Sequence, residues 1–123
     1  NKYSFDKTSG ELMNKREFFR FNRASDGGVD GACMDNEGGY WAAFYGGWRI
    51  ARMLPSGDLD QEIPLPVSQP TMPTFGGPDG KTIFITSARQ KLDSDSLNEQ
   101  PLAGGLFSVT VKQRGLPNFS FGG

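Results

Sequence analysis

Three observations predict an all-β fold. Gly and Pro supply 17 and 8 of the 123 residues, and they cluster at intervals that read as turns. The runs between those clusters are short and rich in β-branched and aromatic residues, and several alternate apolar with polar side chains as a half-buried strand does. Helical signal is confined to residues 93–99, where Asp93 can cap a single turn that Pro101 stops.

Taken in order, a first strand is expected over 2–6, followed by the turn Thr8-Ser9-Gly10-Glu11 and a second strand over 16–21, which holds three Phe. A loop over 25–31 leads to a strand over 32–35, the turn Asn36-Glu37-Gly38-Gly39 and an aromatic strand over 40–45. Gly46-Gly47 turns the chain into a strand over 48–54, where Trp48 and Ile50 alternate with Arg49, and Pro55-Ser56-Gly57-Asp58 turns it again into 59–65. A Pro-rich connector precedes strands over 82–87 and 106–111. The core such strands can enclose is thin and rich in Phe, of which there are ten.

Composition excludes several function classes. The formal charge is −1 and no run of Lys and Arg is long enough to track a phosphate backbone, so nucleic acid is not an expected partner. With no His and one Cys, Ser-His-Asp and Cys-His catalysis, His-ligated or all-cysteine zinc and an internal disulfide are ruled out. Chemistry is left to carboxylates, hydroxyls, Lys and backbone, or to an oxygen-ligated metal. No apolar run approaches the ~18 residues of a membrane span and no basic-then-apolar leader is visible, so a cytoplasmic location is expected. The chain starts at Asn1 rather than Met, which suggests that upstream residues have been removed.

The turns repeat. Ser9-Gly10-Glu11-Leu12 recurs as Ser56-Gly57-Asp58-Leu59, 47 residues later, and the hairpin at 35–41 lies over 77–83 at a spacing of 42. Periods of ~40–50 residues with four short strands per unit are those of propeller blades, each a small twisted sheet whose faces are buried only against its neighbours. A chain of this length holds fewer than three such units, and a ring needs at least about four. It therefore cannot close alone.

Several segments match a known pattern. Val29-Asp30-Gly31-Ala32-Cys33-Met34-Asp35-Asn36-Glu37-Gly38 is similar to P-D-G-[MIL]-x-[VI]-D-x-E-G, and Tyr40-Trp41-Ala42-Ala43-Phe44-Tyr45-Gly46-Gly47 to L-W-V-A-x-[YW]-x-G-G. Ile63-Pro64-Leu65-Pro66-Val67, Phe75-Gly76-Gly77-Pro78, Ile85-Thr86-Ser87-Ala88-Arg89 and Gln100-Pro101-Leu102-Ala103-Gly104-Gly105-Leu106-Phe107 follow in order. From about Tyr3 onward the chain resembles the C-terminal portion of the regucalcin, gluconolactonase and senescence-marker-protein family of six-bladed propellers. The resemblance implies a partial six-bladed β-propeller of about two and a half to three blades of four-stranded antiparallel sheets. The chain would be one C-terminal propeller fragment, with blade units near 1–30, 31–73 and 74–123.

It further implies a metal-dependent hydrolase of sugar lactones. Asp30 stands at the Asp of the motif, one of three ligands to a single divalent cation in the central channel; the Glu and Asn ligands would precede Asn1. That cation, calcium, zinc, magnesium or manganese, would polarise the lactone carbonyl as a Lewis acid in the intact protein, and this chain alone is not expected to retain it. Val29 replaces the Pro of the motif and Ala32 a larger apolar residue, which alters the loop but not the carboxylate.

Read without the family, Asp30 is open to two interpretations. It is either a ligand beside a Gly that lets backbone approach a bound group, or an Asx-turn residue capping the loop 25–31. At the 42-residue spacing its slot in the next repeat holds Met72, so the fold does not demand a carboxylate there. Trp41, Phe44, Tyr45 and Trp48 read as packing between sheets rather than as a sugar platform; of these Tyr45, at a strand end beside Gly46-Gly47, is the candidate substrate contact. Cys33, between Ala32 and Met34, reads as a buried, inert thiol, and Asp35 and Glu37 as solvated residues flanking a turn. Gly76-Gly77-Pro78-Asp79-Gly80-Lys81-Thr82 is one residue short of a phosphate-binding loop and precedes a strand rather than a helix, so it reads as a hairpin turn. The acidic run at 93–99 lacks the Gly and closing Glu of an EF-hand. Asn118-Phe119-Ser120 fits a glycosylation sequon.

Two functions follow. The chain is the C-terminal part of a lactonase, inactive by itself, whose partner is the missing N-terminal propeller half and whose substrate is a small sugar lactone. Alternatively it is a non-catalytic half-propeller of which two copies pair as a homodimer into a six-bladed ring, serving as a structural or binding module.

Overall fold

A computed structural model describes residues 1–117; Asn118-Phe119-Ser120 lies outside the described residues. Within them, nine strands form three antiparallel sheets. The first pairs β1 (Lys2–Phe5) with β2 (Leu12–Arg16). After the short α1 (Arg23–Asp26), the second holds β3 (Gly28–Met34), β4 (Tyr40–Tyr45), β5 (Arg49–Met53) and β6 (Leu59–Pro64) as a meander. The third holds β7 (Pro70–Gly76), β8 (Thr82–Ser87) and β9 (Leu106–Thr110), with α2 (Ser94–Glu99) between its last two strands. Asp93 caps α2 by accepting a hydrogen bond from Ser96 N at 2.9 Å, as the sequence predicts. The second and third sheets begin at Gly28 and Pro70, a few residues ahead of the units expected at 31 and 74. Among the described residues no helix is long and apolar enough to cross a membrane.

The second sheet is sandwiched. Trp41, Ala43 and Ile50 face the third sheet and pack on Phe75, Ile83 and Ile85, with the Trp41 and Phe75 rings edge-to-face at 6.2 Å. Ala42, Phe44, Ala51 and Met53 point the other way, where Phe18, Phe19 and Phe21 cover them. Because both of its faces are covered, β4 reads as a continuous apolar run rather than an alternating one.

Three sequence expectations are corrected. The strand expected over 16–21 ends at Arg16; Phe18, Phe19 and Phe21 instead cross the sheet as a packed connection, meeting Tyr40 and Phe44 edge-to-face. The Pro-rich connector contains a full strand, β7, in which Pro70 and Pro73 are buried. An edge strand pairs on one side only and tolerates residues that cannot donate. The loop expected over 25–31 ends at Gly28, where β3 begins.

The repeat register also shifts by one residue. Ile83 and Ile85 face the preceding sheet, as Ala42 and Phe44 face the preceding Phe18–Phe21 connection, while Trp41 and Ala43 face the following sheet. Thr74 pairs with Phe84 as Cys33 pairs with Trp41, and Pro70 with Ser87 as Val29 with Phe44. This equivalence puts Thr71, not Met72, in the slot of Asp30. Both inner strands carry a β-bulge at that place, between Val29 and Ala32 and between Pro70 and Met72.

Candidate functional site

The candidate site is built at the start of β3. Asn22 closes the chain into α1: its Oδ1 accepts from Ala24 N at 3.0 Å and its own N donates to Asp26 Oδ2 at 2.7 Å. Gly27 then passes beneath β4 at φ +82°, and a Cβ there would stand 2.5 Å from the Tyr45 carbonyl oxygen, so only glycine fits. The bulge follows, and bulges re-aim side chains: Asp30 is exposed, and among the described residues its carboxylate has no ion-pair or hydrogen-bond partner. The Asx contact in this segment is made by Asn22, which accepts from Ala24 N.

Gly31 has a different reason from the one its sequence suggests. A Cβ on it would lie 2.6 Å from the Thr71 carbonyl oxygen and against Met72. The missing side chain lets the two inner strands, β3 and β7, approach one another; it does not make room for a ligand.

Asp30 and Tyr45, the two candidates named from sequence, share one concavity of about 500 Å³ lined also by Phe21, Arg23 and Gly46. Gly46 N donates to Ser68 O at 2.7 Å, and Ser68 is held in turn by Gln100 Oε1, which accepts from both its N and its Oγ at 2.7 and 2.8 Å. The wall beside Tyr45 is therefore tied to the end of α2. Sequence reading passed over Arg23; the signal for it was a cation seven residues before Asp30. Trp48, expected to pack between sheets, is exposed in the turn at φ +57°, while Trp41 and Phe44 are fully buried as expected.

Asp35 departs most from its sequence reading. It is 1% exposed, and its carboxylate accepts four hydrogen bonds: Glu37 N (2.9 Å) and Gly39 N (2.8 Å) on Oδ1, Trp41 Nε1 (2.9 Å) and Arg52 Nε (2.7 Å) on Oδ2. Arg52, 3% exposed, also reaches Asp60 at 2.7 Å and Glu37 at 3.0 Å. Burial pushes the Asp35 carboxyl up, but Arg52 and the N–H donors outweigh it and hold the group below the usual carboxylate range. Asp35 also pairs with Gly115, which pins the chain after β9 to the β3–β4 turn. Sealed and fully partnered, Asp35 and Arg52 form a structural clamp with no access to a substrate. Cys33 is half-buried, and burial, reinforced by the Asp35 charge, pushes its thiol up to about 11, which agrees with an inert thiol.

Residues 1–89 match the SMP-30/Gluconolactonase/LRE-like region. The chain belongs to that family. Within it, regucalcin of Oryctolagus cuniculus is 37% identical over 123 residues, covering 98% of this chain and 41% of that protein. The 6-deoxy-6-sulfogluconolactonase of Pseudomonas putida is 37% identical over 122 residues, covering 99% and 42%. The structure of a calcium-binding protein, regucalcin of Agrobacterium tumefaciens, superimposes with a TM-score of 0.81 at 30% identity, covering 93% of this chain and 39% of that one. The chain thus spans about two fifths of its relatives, and its sheets are part of a regucalcin-like propeller.

The described residues do not by themselves fit a metal centre. Among them no three Asp, Glu or Cys converge, and Asp30 offers one carboxylate where calcium takes roughly six to eight oxygens and magnesium six.

Proposed function

We propose that this chain forms the C-terminal blades of a metal-dependent lactonase that opens sugar lactones, and that it has no turnover alone. One observation carries the reading: the Asp30 carboxylate, aimed outward by a bulge and unpartnered among the described residues, shares a concavity with Tyr45. Lactonase names among the relatives support the substrate class. Asp30 contributes one oxygen ligand to the cation, and the other ligands come from the polypeptide that supplies the remaining blades. Tyr45 walls the substrate side. Catalysis by fixed ligands and dipoles requires the whole constellation to be pre-positioned, so a lone carboxylate does not suffice.

The homodimer reading has less support. Among the described residues one copy carries nine strands, so two carry eighteen, whereas six four-stranded blades need about twenty-four. The test is hydrolysis of glucono-lactone by the purified chain with calcium, zinc, magnesium or manganese. No rate above buffer is expected. Turnover that Asp30→Ala abolishes would overturn the inactivity of the isolated chain.

A further inference from the structure

We infer that Arg23 makes the Asp30 concavity a site for sugar lactones or sugar acids that carry a second, tetrahedral oxyanion, a sulfonate or a phosphate ester. This rests on the lactonase reading and narrows its substrate class. Arg23 lines the same concavity of about 500 Å³ as Asp30 and Tyr45. Its guanidinium lies along Gly28, where a Cβ would meet Nε at 3.6 Å and Cζ at 3.8 Å. The Asn22 and Asp26 hydrogen bonds that close α1 fix the backbone from which it projects.

Its obvious partner is taken. Asp26, three residues on, gives its carboxylate to Asn22 N at 2.7 Å and to Arg49 at 3.5 Å, and its carbonyl oxygen also accepts from Arg49 at 3.3 Å. Arg49 is held on its other side by Glu62 at 2.6 Å. Arg23 is left with no ion pair among the described residues, although a carboxylate, Asp30, lines the same hollow. Two opposite charges that share a hollow without pairing can each take a complement: Asp30 a cation or hydroxyl, Arg23 an oxyanion by a forked, charge-assisted contact. Arg23 is exposed, so an oxyanion can reach it from solvent, and Phe21 and Tyr45 flank the hollow.

The experiment titrates the isotope-labelled chain, followed by amide shifts at Gly28 and Tyr45, with three probes at constant ionic strength: sodium sulfate, D-gluconate and 6-phospho-D-gluconate. Sulfate alone is expected to shift both amides in the wild type and not in Arg23→Gln. The phosphorylated acid is expected to bind roughly tenfold more tightly than gluconate, a modest yield for a charge-assisted contact, and Arg23→Gln should erase that preference. Sulfate shifts without either sugar acid binding would keep the anion site and remove the sugar reading. Equal binding of both acids, a preference that survives Arg23→Gln, or silent amides in sulfate would overturn the inference.

Discussion

Asp35→Ala removes the acceptor on which four donors converge. Arg52 Nε, Trp41 Nε1 and Gly39 N then remain buried without it, while Arg52 keeps only its outer contacts to Asp60 and Glu37. Breaking a buried ion pair from one side costs about 3–5 kcal/mol, and the two additional donors place this case in the middle of that range, at about 4 kcal/mol. A domain of this size has about 5–15 kcal/mol in total, so the variant sits near the edge of folding. Urea unfolding followed by far-ultraviolet circular dichroism measures the loss, with Glu37→Gln as the control; Glu37 is 60% exposed and its pair should contribute under about 1 kcal/mol. A loss below about 1 kcal/mol for Asp35→Ala would refute the clamp. The same carboxyl gives the stability a pH dependence. Its folded pKa lies below its unfolded one, so its contribution is complete above about pH 4 and fades as the pH falls through the folded value. Asp35→Asn should flatten that acid limb.

Other substitutions separate the site from the scaffold. Asp30→Asn should leave stability within about 0.5 kcal/mol, because an exposed, unpartnered side chain holds nothing; a larger loss in the same urea assay would reveal a structural role. Gly31→Ala should cost about 1–3 kcal/mol, since a Cβ against Thr71 O and Met72 forces the inner strands apart. A neutral result would mean that the β3–β7 approach is looser than described. Cys33, its thiol pushed up to about 11, should react with iodoacetamide at pH 8 roughly a hundredfold more slowly than an unperturbed thiol of pKa about 8.5. Alkylation at the free-thiol rate would contradict its burial.

Local pattern was enough wherever a strand had ordinary neighbours. Residues 40–45 and 82–87 carry their strand signal in apolar and β-branched side chains, and Asp93 announces α2 through its cap. Failures occurred where tertiary partners decide. Pro70 and Pro73 argue against a strand until β7 is known to be an edge. Phe18, Phe19 and Phe21 look like a strand but pack as a crossing connection, which only the open face of the second sheet explains. Asp35 reads as a turn residue because Arg52, its partner, lies 17 positions away and reaches it only through the β4–β5 register, in which Trp41 pairs with Arg52. The Asp30 motif was legible, but not the bulge that aims the side chain, since an extra residue in one strand leaves no compositional mark. Arg23 was missed for a related reason: its freedom depends on Asp26 being claimed by Arg49, a contact across 23 residues.

The most direct test of the whole account joins this chain to the N-terminal part of the Pseudomonas putida relative and measures lactone hydrolysis by the folded chimera with and without Asp30→Asn. The account predicts metal-dependent turnover that drops at least about a hundredfold in Asp30→Asn, at unchanged unfolding midpoint. A chimera whose turnover is indifferent to Asp30 would contradict the central claim that this carboxylate belongs to the catalytic metal site.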